Sequence, residues 1–214
     1  MIGVKGFGIA MDRKAHWDRV YTTKASDEVS WYQREPTISL RLLEQTGLTA
    51  ATRVIDIGGG DSRLVDRLVA RGLRCVTVLD VSGAALARAA ARLGGLADHV
   101  QWIETDVTGP WTAAPVDIWH DRAVFHFLTD AEDRARYVAR VRELVISGGS
   151  VIVGTFAPDG PERCSGLPVC RYDAAGIGAE LGKGFTLVDM VAEAHRTPTG
   201  AIQHFNYSRF VRDA

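Results

Sequence analysis

Short apolar runs alternate with amphipathic stretches along most of this chain. Arg53 to Ile57, RCVTVLD ending at Asp80, Val100 to Glu104, Val116 to Trp119 and SVIVGTFAP after Gly149 have the length and β-branched content of buried strands. Stretches of helical period separate them. Thr37 to Thr46 carries Ile38, Leu42 and Leu43 on one stripe and stops at Gly47, and Ser62 to Arg71 follows the first strand. The Ala-rich GAALARAAARLGG follows Ser82, a fitting N-cap, and Thr129 with Glu132 forms a capping box for a helix running to Val145. This alternation predicts an α/β fold, a Rossmann-like doubly wound and mostly parallel sheet. After Phe156 comes the turn-rich APDGPERCSGLPVCRY, then a helix over Asp173 to Leu181. Two alternating strands joined by Thr-Pro-Thr-Gly close the chain as an antiparallel hairpin, which brings the sheet to about seven strands. Residues 1–14 are Gly-rich and patternless and predict a flexible tail, with Met11 beginning what looks like a natural start. Residues 15–214 predict a single domain whose segment 15–47, with Trp17, Val20 and Tyr21 at helical spacing, forms a lid.

The chemistry concentrates where the first strand empties into a turn, RVIDIGGGDSR. Gly58, Gly59 and Gly60 allow positive φ and remove the Cβ atoms that would hold a ligand off the backbone. The helix behind them aims unpaired N–H groups into the same crevice. A turn of this kind can also do no more than connect strand to helix. Asp80, at the end of the next strand, tips the balance, because a carboxylate placed there can accept from both ribose hydroxyls. A dinucleotide site would want a third glycine where Arg63 stands, and Asp56 suits a ligand with positive charge near the turn.

DIGGG with Asp80 downstream resembles the class I S-adenosylmethionine-dependent methyltransferases, and the resemblance runs from Ala15 to the end. It implies that Asp56, Gly58, Gly59 and Gly60 hold the methionine end and that Asp80, with Val81 beside it, holds the ribose. It further implies that Asp106 accepts from the adenine amino group next to Val107; alternatively Asp106 only caps a turn. His120, at the end of the fourth strand, is assigned to the cofactor as well. The segment HWDRVY followed by SWY resembles the N-terminal part of subfamilies acting on small molecules or on lysine side chains. Trp31 and Tyr32 either seal one end of the sheet or cover the pocket, and with Cys164 they are assigned to the acceptor.

The chain has 214 residues with Lys+Arg 25 against Asp+Glu 26, a balance that gives no global field for nucleic acid or an anionic membrane. Three cysteines make no disulfide framework, and no membrane-length or signal-like run is present, so the expectation is a cytoplasmic monomer or homodimer without a structural metal. Cys75 is read as core. The expected reaction is methyl transfer from S-adenosylmethionine to an oxygen, nitrogen or sulfur atom of a small molecule. A protein lysine methyltransferase is the alternative, followed by a metalloid or thiol methyltransferase using Cys164 and Cys170, an NAD-dependent dehydrogenase, and a non-catalytic cofactor-binding module. In HDRAVFHFLTD, read as a loop, His126 is the expected proton acceptor and Asp121 a positioning group. The competing expectation packs His126 under the lid and pairs Asp121 with Arg122 or another arginine.

Overall fold

A computed structural model describes residues 12–214. Most of the expected tail, residues 1–11, lies outside the described residues. Its last two residues do not belong to a tail: Arg13 and Lys14 open helix α1 (Arg13–Thr23), because the Asp12 side chain accepts from the Ala15 N–H and caps it. Helix α2 (Thr37–Glu44) then leads into strand β1 (Arg53–Ile57), helix α3 (Leu64–Ala70), strand β2 (Cys75–Asp80) and helix α4 (Gly83–Leu93). Strands β3 (Val100–Glu104) and β4 (Val116–Arg122) follow, then helix α5 (Ala131–Leu144) and strand β5 (Val145–Phe156). A short hairpin, β6 (Arg163–Cys164) and β7 (Leu167–Pro168), precedes helix α6 (Ala174–Leu181) and the long strands β8 (Phe185–Arg196) and β9 (Ile202–Arg212).

The main sheet has seven strands in the order β3-β2-β1-β4-β5-β9-β8. The first five are parallel, and β9 and β8 close the sheet antiparallel. The strand order reverses between the parallel neighbours β1 and β4, and a sheet of this kind opens its ligand crevice at that reversal, outside the carboxyl ends of the strands. Two apolar layers cover the faces. One joins α2, α3 and α4 to Val54, Val78, Phe205 and Tyr207; the other joins α5 and α6 to Ile55, Ile57, Trp119 and Phe210. Helix α5 is capped by the Asp130 side chain, which accepts from the Glu132 N–H at 2.7 Å, and not by Thr129. Among the described residues no helix is long and apolar enough to cross a membrane.

Candidate active site

The crevice at the β1/β4 reversal holds a cavity of about 100 Å³, roofed by Arg13, Trp17 and Tyr21 of α1. A second, of about 50 Å³, lies on the far side of the glycine turn, against Asp56, Gly59, Arg63 and His120. Tyr21, Trp31, Gly58 and Arg122 line both, so the two are halves of one crevice. The turn between them is bare backbone by necessity. Gly58 and Gly60 have φ of +62° and +45°, a Cβ on Gly58 would land on Val124 Cγ2, and one on Gly60 would lie 2.8 Å from Asp80 Oδ2.

In the larger half Asp80 is buried, and its Oδ1 accepts from the Ser82 N–H at 2.8 Å. Burial pushes its carboxyl up to about 7; the Ser82 N–H is the next-largest influence and pulls it down, and the charges of Asp56 and Asp18 add to the rise. Asp106 and Val107 form the wall beside it. Asp106 Oδ1 accepts from the Thr108 N–H at 2.8 Å, while Oδ2 pairs with Arg13 at 3.0 Å, and Arg13 also pairs with Asp133. Burial opposes ionisation of Asp106, but these donors outweigh it and hold the carboxyl below its usual range. In the smaller half, Asp56 is buried and its Oδ1 lies 2.7 Å from His120 Nδ1, while His120 Nε2 lies 2.9 Å from Ser39 Oγ. With a proton on Nδ1 the ring donates to Asp56 and accepts from Ser39.

A family model described as a methyltransferase domain matches residues 55–151, which carry β1 to β5 and the glycine turn. The chain carries a class I methyltransferase domain. Solved structures share its architecture over nearly the whole length. A methyltransferase from Anabaena variabilis ATCC 29413 superposes with a TM-score of 0.74 at 15% identity, covering 95% of this chain and 96% of that one. N-methyltransferase NodS from Bradyrhizobium japonicum WM9 gives 0.66 at 19%, covering 95% and 100%, and the glycopeptide N-methyltransferase MtfA gives 0.64 at 16%, covering 86% and 96%. At such identities the likeness speaks for the fold. No curated protein matches the chain.

The methyltransferase domain places the sequence-predicted residues unevenly. Asp56, Gly58, Gly59, Asp80, Val81, Asp106, Val107 and His120 all line the crevice, as do Trp31, Tyr32 and Cys164, while Gly60 completes the turn behind Asp80. His120 differs in role from expectation, since both ring nitrogens are engaged by Asp56 and Ser39. It orients a carboxylate instead of facing a ligand itself.

Asp121 and His126 are corrections. The apolar run stopped at Trp119, but β4 continues to Arg122, with Asp56 paired to His120 and Ile57 to Asp121. Strand alternation then sends Asp121 to the opposite face from His120 and Arg122. There it is fully buried and accepts from Tyr137 OH at 2.7 Å, the Val124 N–H at 3.0 Å and the Phe125 N–H at 3.1 Å. His126 lies in a one-turn helix, fully buried among Phe127, Phe156 and Phe205. Its Nδ1 accepts from the Phe156 N–H at 3.3 Å, and burial, then the Arg122 charge, lowers it to about 3. Neither residue lines the crevice.

The cysteines do not act together. Cys75 opens β2 and is exposed, not core, because the first position of the strand lies beyond the helices that cover its middle. Cys164 is buried in the cavity wall with its thiol pushed up to about 11 by burial, and Cys170 lies outside the crevice. Sequence reasoning missed Arg13, Tyr21 and Arg122. Extending the β4 alternation two residues past His120 would have found Arg122.

Proposed function

We propose that this enzyme methylates an oxygen, nitrogen or sulfur nucleophile on a small molecule, with the cofactor's ribose on Asp80 and its amino group on Asp56. The observation that carries the reading is one crevice with a buried carboxylate in each half, separated by the bare backbone of Gly58. The distances within that crevice come from side chains held by the fold, so the two carboxylates are preset for a ligand with hydroxyls at one end and an ammonium at the other.

When bound, the cofactor would supply a methyl group on a sulfonium, with the neutral thioether as the leaving group. The chain's own work is alignment. Trp17 stacks edge-on against Trp31 and Phe127, with ring centroids 5.6 Å and 5.1 Å apart, and these rings wall the acceptor side where the incoming atom must sit about 3 to 3.5 Å from the methyl carbon. Among the described residues no histidine lines the larger cavity, and the Cys164 thiol there stays protonated at neutral pH. An acceptor that loses its proton to solvent before the reaction, an amine or a thiol, therefore suits the site better than an alcohol, whose hydroxyl is far less acidic. The N-methyltransferases among the structural neighbours support the same preference. The aromatic wall would also accommodate a lysine side chain, which is the second reading.

Labelled methyl donor, offered with a panel of small amines, thiols and alcohols and separately with cell protein, tests the substrate class. Label is expected in small-molecule amines or thiols; label found only in protein would contradict the reading.

The Asp80 carboxyl adds a pH dependence. Its pKa of about 7 is that of the empty site, and ribose hydroxyls donate to the charged form, so binding lowers it. Affinity for S-adenosylhomocysteine should then rise with pH through 7 and level off above, with a dissociation constant about ten-fold weaker at pH 6 than at pH 8. Calorimetry across that range checks it, and Asp80→Asn should flatten the profile.

A further inference from the structure

Strand β8 closes the main sheet, and among the described residues no strand pairs with its outer side. Alternate N–H and C=O groups along that side are left open, a template for another strand. Folded chains usually blunt such an edge with charges, prolines or a short strand. β3, at the opposite edge, has five residues, and its exposed positions are Gln101 and Glu104. β8 has twelve, and its exposed positions include Leu187, Val188, Met190, Ala192 and Ala194. Met190 is 58% exposed, and Ile202, at the start of β9, is exposed as well. Among the described residues only Leu96 is exposed elsewhere as a large apolar side chain, so the apolar surface is gathered along this edge and not scattered. The register with β9 sets the faces. Met190, Ala192 and Ala194 stand opposite Ser208, Asn206 and His204, on the side of Phe210 and α6, while Asp189, Val191, Glu193 and His195 point to the other side.

We propose that the outer edge of β8 pairs antiparallel with β8 of a second copy of this chain, around a two-fold axis at Ala192. A two-fold is the closed arrangement in which one edge meets itself. Residues facing each other across an antiparallel pair point to the same side of the sheet, so the axis must pass beside a residue that meets its own copy. The charges choose which. An axis at Asp189 or Glu193 would set a carboxylate against itself, and one at Val191 would set Asp189 against the partner's Glu193. An axis at Ala194 would bring Met190 against the partner's Pro198, which has no N–H to give. At Met190 the ladder would run through the irregularity between Leu187 and Asp189 on both copies. The axis at Ala192 meets none of these. Asp189 then faces the partner's His195, Met190 its Ala194 and Val191 its Glu193, in a ladder that ends short of the irregularity. Each methionine lies over small alanine side chains, and the strip leaves water. β8 also holds the cover of the crevice, since Glu193 accepts from Gln33 Nε2 at 2.8 Å and His195 Nε2 donates to the Ser30 carbonyl at 2.8 Å. Trp31 and Tyr32, between these two anchors, line the crevice, so pairing at β8 steadies the strand that holds them.

Sedimentation equilibrium on the full chain tests this. The wild-type protein should be a dimer at about 50 µM, and Met190→Asp and Ala192→Arg, the latter placing two cations at the axis, should each weaken association by about ten-fold or more. Their circular dichroism spectra should match that of the wild type, which shows that they fold; if they do not, cross-linking decides. Because Cys75 is exposed, that arm uses a Cys75→Ser background, in which Ala192→Cys should form a disulfide between copies on mild oxidation while Met190→Cys, facing Ala194, should not. A dimer that survives both charged variants, or a cross-link from Met190→Cys and none from Ala192→Cys, would overturn the proposal. So would a wild-type chain that stays monomeric: if Met190→Asp then lowered its melting temperature, a segment of the same chain covers the strip, and if not, the strip belongs to a different protein.

Discussion

Asp80→Ala is expected to weaken S-adenosylhomocysteine binding by about thirty-fold or more, the loss of two charge-assisted hydrogen bonds worth about 2 to 4 kcal/mol together. The measurement belongs at pH 8, where the carboxyl with its pKa of about 7 is ionised in the empty site. At lower pH the wild-type protein would itself lose affinity, and the ratio would shrink. Part of the effect is local, since the Ser82 N–H loses its acceptor when Asp80 is removed. Binding of 5′-methylthioadenosine should fall by the same factor, because the ribose contact does not involve the amino-acid group. An unchanged dissociation constant for both ligands would remove Asp80 from the site.

Asp121→Ala is expected to act on stability. Three donors, Tyr137 OH and the Val124 and Phe125 N–H groups, would be left without their acceptor in a fully buried place, at a cost of roughly 3 kcal/mol or more. For a chain of this size that corresponds to a melting temperature lower by about 10 °C. The sign of the pH dependence is also set. Burial raises the folded-state carboxyl to about 7, above the usual 3.8, so the native state binds its proton more tightly and the contribution of Asp121 to stability falls as pH rises between those values. The alanine variant should lack this part of the slope. A variant that melts like the wild type but has lost methyl transfer would restore Asp121 to the chemistry.

The parallel core of the fold was legible because each strand carried a short, mostly apolar run and several helices carried a start signal of their own. Ser82 and Asp173 do cap α4 and α6, each accepting from the N–H three residues on. The placing of Asp56, Gly58 and Asp80 in the crevice wall was legible for a related reason: glycines and strand-end carboxylates are local features that need only the strand-turn-helix pattern to be placed. The end of β4 was not. His120, Asp121 and Arg122 are polar, so hydropathy ended β4 at Trp119, whereas the backbone pairs of β1 and β5 carry it three residues further. Once the strand is extended, period-two alternation decides which of the three face the crevice. His126 was misjudged because burial among three aromatic rings comes from Phe156 on β5 and Phe205 on β9, contacts that no local pattern encodes. The partners of Arg122, on β8, β9 and the segment before α2, are equally distant in sequence.

The most direct test of the account is a crystal structure of the protein with S-adenosylhomocysteine. The predicted complex has both ribose hydroxyls on the Asp80 carboxylate, the amino group on Asp56, and the ligand backbone passing over Gly58 beneath Trp17 and Tyr21 of α1. A ligand bound with its ribose away from Asp80, or lying outside the crevice between α1 and the ends of β1, β2 and β4, would contradict it.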